Sequence, residues 1–266
     1  MLIFIRELAR NKKALIIWSI GMALFSVFIM TFFPTIVEQA ETLDELMQKY
    51  PSELVEAFNF NRLSMADPMG FYGTQIYLFI TLFGSIYSML LFSSVVSREE
   101  NEKTSEFINT RPVKRNKIFA SKIIAAFVNI TVFNASFGIV NLVLFEIYAS
   151  GSYDRHTLYL LITAPWLMHI LFGSVGIFIS VFIIKARTLY PLSIGIVLVS
   201  YFINVVSNLA EKGKNLRYLT PFKYFDAADI IDAGAFSTAY LAIMLCVVSF
   251  SVSAAFFLYS RKDLAA

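Results

Sequence analysis

Six stretches of this chain carry no Asp, Glu, Lys or Arg: residues 14–37, 68–97, 123–145, 156–184, 188–210 and 233–260. Each exceeds the roughly 20 residues that an α-helix needs to cross the hydrocarbon core of a bilayer. Lipid offers the backbone no hydrogen-bond partner, so a crossing segment must be a helix or part of a closed barrel. Barrel strands alternate in polarity over roughly 10 residues, whereas these runs are long and apolar on every face. The pattern predicts an all-α integral membrane protein with six transmembrane helices in a single domain over residues 1–266.

Between the runs, polar positions punctuate the chain. Residues 1–13 have helical periodicity, with Met1, Phe4, Ile5 and Leu8 on one stripe and Arg6, Arg10 and Lys13 elsewhere. Such a helix can lie in the membrane interface or serve as a positive flank that sets topology. The first span, 14–33, is expected to end at Pro34. The loop 35–73 carries a capping box at Thr42 and Glu45 with Leu43, Leu46, Met47 and Tyr50 at helical spacing, which reads as an amphipathic helical cap. The second span is placed at 74–96 and the third at 118–147, with Lys122 snorkelling to the interface. The fourth is expected to break near its start at Pro165. Only residues 185–187 separate it from the fifth, which runs to Leu209, so these two form a tight hairpin. The segment 211–236, with its LTPFKYFDAADI stretch, reads as a proline-interrupted segment that dips back toward the membrane before the last span, which ends at Tyr259.

Composition agrees with this pattern. The chain is 58% hydrophobic and only 15% charged, with a mean hydropathy of +0.67, against about 25% charged residues in soluble domains. Of the 22 Lys and Arg residues, seven (Lys49, Arg62, Arg155, Lys212, Lys214, Arg217 and Lys223) fall on one side of the six crossings and 15 on the other. The positive-inside rule then puts both termini in the cytoplasm. The first apolar run has no small-residue cleavage site after it and reads as an anchor. The single Cys246 excludes a disulfide framework or a cysteine metal site within one chain.

Candidate chemistry is sparse. No GxxxxGK[ST] phosphate loop is present. His156 and His169 have no metal-ligand partner at helical spacing, and His169 reads as a hydrogen-bonded packing residue. No constellation of acids, histidines or an activated serine suggests an intramembrane enzyme, so no catalytic or metal residue is assigned. Glu146 and Lys185 lie near span ends, which leaves mid-membrane without formal charge and argues against a proton- or sodium-driven carrier. Phe79, Phe83 and Tyr87 are spaced i, i+4, i+8 on the second span, and Tyr201, Asn204 and Asn208 share one face of the fifth; ordinary helix packing would use the same spacing. Asn134, Gly138 and Asn141 on the third read as interhelical glue.

The densest charge lies in 97–117, SREENEKTSEFINTRPVKRNK. Residues 98–109 can form three helical turns before Pro112, with Glu99, Glu102, Lys103 and Glu106 on one face and Phe107 and Ile108 at an apolar edge. Such a helix suits docking into a basic groove; a solvated connecting loop would have the same composition. Here the chain resembles the membrane subunits of type-2 ABC exporters, which carry Glu, then Thr and Glu, then Pro-Val, Arg, Ile and Lys between their second and third spans. Those positions are Glu99 or Glu100, Thr104, Glu106, Pro112, Val113, Arg115, Ile118 and Lys122, with Lys103 where a glycine is usual. Trp18-Ser19, Thr220-Pro221-Phe222 with Tyr224-Phe225, and Arg261-Lys262-Asp263-Leu264 fit the same resemblance, which covers nearly the whole chain.

The resemblance implies a permease of the bacterial cytoplasmic membrane that exports a hydrophobic or amphipathic compound (a drug, lipid-like molecule or peptide). A separate ABC ATP-binding subunit would dock on 98–109, with Glu99, Glu100, Glu102, Thr104 and Glu106 transmitting force. The second and fifth spans would line the translocation path, with Phe79, Phe83, Tyr87, Tyr201, Asn204 and Asn208 facing it. ATP and Mg would be bound by that partner, and this chain would hold no cofactor. A second permease copy, identical or not, would complete the assembly in membrane lipid; no nucleic-acid partner is expected. Two other readings stand beside it: a non-transporting sensor or immunity scaffold for a cytoplasmic partner, and an ion-coupled carrier.

Overall fold

A computed structural model of the chain describes residues 2–39, 49–51, 55, 62–101, 115–183, 185–209 and 211–261. Among these, every regular element is helical. Six helices are long and apolar enough to cross a membrane, as the charge-free runs predict. The chain is a multi-pass membrane protein.

The first span is continuous with the N-terminal segment in one helix, Leu2–Met30. It ends one turn ahead of Pro34, which sits in the first turn of a short helix, Phe33–Glu38. Proline has no N–H to give and is tolerated there for that reason. The second span starts earlier than its hydropathy indicates. Asp67 caps Pro68–Phe71 by accepting from the Met69 and Gly70 N–H groups, a π-helical turn follows at Tyr72–Ile76, and the helix then runs from Tyr77 to Asn101. Gly70 is required in this start, because a Cβ there would lie 2.1 Å from the Ser64 carbonyl oxygen.

The third span, Arg115–Tyr148, turns through Gly151 (φ +78°) into the fourth, Arg155–Phe182. Asp154 caps that helix by accepting from the His156 and Thr157 N–H groups. Pro165 lies inside it and does not break it, contrary to the sequence expectation. A proline in a span is tolerated where neighbouring helices compensate the lost hydrogen bond, and Pro165 is buried among them. The fifth span, Ala186–Leu209, starts at once: the Lys185 carbonyl accepts from Thr188 and Leu189 N–H, which begins the helix directly after the short turn that the sequence predicts. The span then packs mainly on the second rather than the fourth. Residues 211–236 form three short helices, Glu211–Tyr218, Pro221–Tyr224 and Ala227–Ala233, before the sixth span, Thr238–Arg261.

The second and fourth spans form the centre and run parallel. Over an apolar stretch of 18 residues in each span, 67% and 61% of residues are buried in these two, against 17% in the first, fifth and sixth. Glycine makes that central contact possible. A Cβ on Gly84 would meet the His169 ring at 2.3 Å, and one on Gly176 would meet the Met89 carbonyl oxygen at 2.9 Å. His169, fully buried, has Nε2 3.1 Å from the Ile80 carbonyl oxygen, so it is the packing residue that the sequence indicates. Ser88 Oγ donates to the His169 carbonyl at 2.6 Å.

Around this pair, the third span supplies polar links. Asn141 reaches Ser26 of the first span at 3.5 Å and the Phe137 carbonyl at 2.8 Å, Asn134 donates to the Ile130 carbonyl, and Gly138 leaves room for Ile162 of the fourth. The glue expected of Asn134, Gly138 and Asn141 is thus partly within the helix and partly between helices.

Candidate functional site

The short helices of 211–236 pack onto one end of the bundle and roof a cavity of about 60 Å³. Tyr77, Leu78 and Thr81 of the second span and Tyr201, Asn204, Val205 and Asn208 of the fifth form its walls, with Met168 of the fourth. Phe222, Phe225, Asp226 and Ala227 close it from the roof, and Leu63 closes it from the segment before the second span.

The local sequence explains the roof. Thr220 Oγ1 donates to the Ser200 carbonyl at 2.7 Å, tying the turn before Pro221 to the fifth span. Asp226 caps the 227–233 helix by accepting from the Asp229 N–H, and Gly234, at φ +59°, ends it in the left-handed conformation that glycine adopts without strain. Tyr77 Oη donates to the Phe225 carbonyl at 2.5 Å. Gly73, in the π-helical turn, keeps the mouth narrow: a Cβ there would sit 3.2 Å from Leu63 Cδ1 and 3.3 Å from Ala227 Cβ.

A charge network fastens the roof from outside. Arg62 Nη1 lies 2.8 Å from Asp229 Oδ1 and 3.9 Å from Asp226 Oδ1, and Nη2 lies 2.5 Å from Asp232 Oδ2. Lys223 Nζ is 2.9 Å from Asp229 Oδ2 and 3.7 Å from Asp226 Oδ2. Burial alone would lower the pKa of Arg62, but the carboxylates of Asp232 and Asp229 outweigh it and hold the guanidinium above its ordinary value. Burial likewise pushes the Asp229 carboxyl up, and Lys223 and Arg62 reverse this and hold it below the usual carboxylate range. The network joins residues more than 160 positions apart in the chain.

Of the residues singled out from sequence, Tyr201, Asn204 and Asn208 line the cavity together. Phe79, Phe83 and Tyr87 do not join them. Phe79 packs on Phe25 with centroids 4.7 Å apart and on Phe83 at 5.9 Å, while Tyr87 stacks on Trp18 at 5.3 Å and meets Phe133 edge-on. That face of the second span turns toward the first and third spans. Tyr77, Leu78 and Thr81, which the sequence reading passed over, face the cavity instead. Glu99 and Glu100 lie in the final turns of the second-span helix. Glu102, Thr104 and Glu106 fall outside the described residues, as do Phe107, Ile108, Pro112 and Val113, and the capping box of Thr42 and Glu45.

Lys122 departs from its expected place. Its side chain is buried rather than snorkelling, and Nζ donates to the Val95 carbonyl at 3.0 Å. It therefore joins the third span to the second beside the 97–117 segment. The Arg62 network also escaped the sequence reading, although Lys223, Asp226, Asp229 and Asp232 recur at three-residue spacing across the 221–224 helix and the 227–233 helix that Asp226 caps. The missing signal was Arg62, whose distance in sequence no periodicity can bridge.

The site contains walls, a roof and hydrogen-bonding groups, and it suits holding a molecule rather than transforming one. No group of three His, Cys, Asp or Glu side chains able to hold a metal occurs among the described residues. Residues 7–259 match the family described as multidrug efflux system permease Rv1217c, C-terminal domain. No curated protein matches the chain.

Proposed function

The chain belongs to the multidrug efflux permease family, and we propose that it is the membrane subunit of an ATP-driven exporter of hydrophobic or amphipathic compounds in the bacterial cytoplasmic membrane. The observation that carries this reading is the cavity of Tyr77, Thr81, Tyr201, Asn204 and Asn208 between the second and fifth spans, roofed by a charge-tied cap. Apolar and aromatic walls with a few convergent polar groups are what a small-molecule site requires. As a family permease it is a transport component rather than an enzyme, and the energy comes from a separate ATP-binding subunit.

In this mechanism both termini are cytoplasmic, and the cap at 211–236 faces outward. The ATPase docks on 98–109, where the second-span helix delivers Glu99 and Glu100 at its end and Glu102, Thr104 and Glu106 continue the segment. ATP binding by a pair of such subunits closes them and swings the docked segments of two permease copies. Lys122 carries that movement between the third and second spans through Val95. The rigid centre of the second and fourth spans transmits it to the cap end. Two discrete arrangements biased by one ligand make up such a switch. The Arg62 network holds the outer closure and must yield for release.

The test is co-purification with the genomically adjacent ATPase, comparing the native chain with a Glu99→Arg, Glu106→Arg double variant and following ATP hydrolysis in lipid. The expected result is a native complex that the reversal dissociates or uncouples. Recovery of no ATPase, or a reversal that changes neither complex nor turnover, would overturn the coupling assignment. A scaffold would dock the ATPase without substrate-dependent turnover, and an ion-coupled carrier would work without it.

A further inference from the structure

We infer that the cavity between the second and fifth spans selects neutral compounds carrying a secondary amide on an apolar or aromatic body, and that Asn204 and Asn208 read the amide. This inference rests on the transport reading above and names the substrate chemistry of that site. Its basis is a pair of buried polar atoms. Asn204 Oδ1 and Asn208 Nδ2 both lie out of solvent, and neither has a hydrogen-bond partner. Both residues line the cavity.

Burying an amide without a partner is costly, so a helix face that places two such atoms beside a cavity calls for a ligand that completes them. Asn204 Oδ1 can only accept, and Asn208 Nδ2 can only donate. At i, i+4 the two residues are neighbours on one helix face. A secondary amide supplies the complementary pair, an N–H for Oδ1 and a carbonyl for Nδ2.

The rest of the cavity fits an apolar body. Tyr201, Phe222, Leu78 and Met168 surround the asparagines. The one formal charge in the lining, Asp226, is held by Lys223 and Arg62 and so gives little advantage to a cation. The cavity, at about 60 Å³, has space for only a few waters, so a larger ligand must widen it. An amide that enters completes the two unpaired atoms, whereas a group that lacks the N–H leaves Asn204 Oδ1 unpaired and loses affinity.

The experiment uses the purified full chain in lipid nanodiscs and two nearly isosteric probes, N-phenyl-1-naphthamide and phenyl 1-naphthoate. The ester keeps the carbonyl and the aromatic bodies but lacks the N–H. Equilibrium dialysis, corrected for uptake by empty nanodiscs, gives both affinities. The amide is expected to bind about fivefold more tightly. Asn204→Leu is expected to bring the ratio to about one while the ester still binds, and Asn129→Leu, at a buried site outside the cavity, to leave the ratio unchanged. Equal binding of both probes to the native chain, which needs no variant to fold, overturns the amide inference alone. A preference that survives in Asn204→Leu overturns the assignment to Asn204, and an Asn208→Leu variant that leaves the affinity of both probes unchanged overturns the assignment to Asn208. Binding of neither probe above empty nanodiscs overturns the cavity reading and this inference together.

Discussion

The two central spans and the outer ones are equally apolar to the eye, yet they are built differently. Where the second and fourth spans meet, Gly84, Gly173 and Gly176 each face a neighbour closer than a Cβ would tolerate. Gly21 in the first span and Gly195 in the fifth face nothing within 4 Å. Lipid tails are as apolar as leucine, so hydrophobicity does not drive helices together inside a bilayer. Close approach, interhelical hydrogen bonds and shape do. The centre is therefore specified by small residues and by pairs such as Ser88 with the His169 carbonyl, and the periphery by apolar side chains that lipid accepts.

The strongest way to break this comparison is to add one methyl group at the centre. Gly84→Ala places a Cβ 2.3 Å from the His169 ring, which is fully buried, and Gly176→Ala places one 2.9 Å from the Met89 carbonyl oxygen. A backbone oxygen cannot rotate away, so the helices must separate. Each substitution is expected to cost about 2–3 kcal/mol, read as a lowered Tm in detergent. If either variant melts with the native chain, close packing of the second and fourth spans is not what holds the centre.

The next effect concerns the cap. Arg62→Ala removes the cation shared by Asp226, Asp229 and Asp232 and leaves Lys223 to hold two of them. The pairs with Asp229 and Asp232 are partly exposed, so the stability cost is expected to be modest, about 1 kcal/mol. The larger consequence is local. Ala227→Cys, in a chain whose exposed Cys246 is replaced by Ser, should react with a thiol reagent several-fold faster once Arg62 is removed. Acid should act in the same direction. Asp229 is held below the ordinary carboxylate range, so its contribution is complete above its unfolded pKa and is lost as pH falls through the lowered folded value. Arg62 is shifted upward, so its contribution is lost only at strongly alkaline pH. Labelling that stays unchanged in Arg62→Ala, and in acid once the fall in thiolate is corrected with a free thiol, would show that the network does not close the cavity.

This contrast also explains what the sequence could reveal. The six crossings, the short turn at 185–187 and the facing of Tyr201, Asn204 and Asn208 follow from charge-free length and helical spacing, both of which are local. The second span resisted such reading. Phe79, Phe83 and Tyr87 form as regular an aromatic stripe as Tyr77 and Thr81 would, and in an apolar helix no polar face tells one stripe from another. Packing against Phe25, Trp18 and Phe133 decided it, with the π-helical turn at Tyr72–Ile76 interrupting the α-helical spacing where the helix begins. Pro165 and Lys122 misled for a related reason. Each has an exposed default that a buried partner or a surrounding bundle overrides.

A smaller test lies where Lys122 enters that bundle. Lys122→Met keeps the length of the buried side chain and deletes the Nζ donor to the Val95 carbonyl. The loss is expected to be about 1 kcal/mol, because an apolar replacement of similar shape recovers part of the hydrogen bond's net value. In the exporter proposed above its signature should be functional: hydrolysis by a bound ATPase should become less responsive to transported compound while the complex still forms. Unchanged coupling would make Lys122 a packing residue only.

The smallest expected effect sharpens the comparison from the other side. Gly195→Ala meets nothing within 4 Å, and alanine is the better helix former, so the variant should be neutral or stabilised by about 0.5–1 kcal/mol. Its melting temperature should therefore lie at or above that of the native chain, opposite in sign to Gly176→Ala. A loss as large as at Gly176 would mean that this face of the fifth span is covered in the assembled protein. Dilution then separates two kinds of cover. A second copy of the chain would make the loss depend on protein concentration, because association stabilises by mass action, whereas lipid would not.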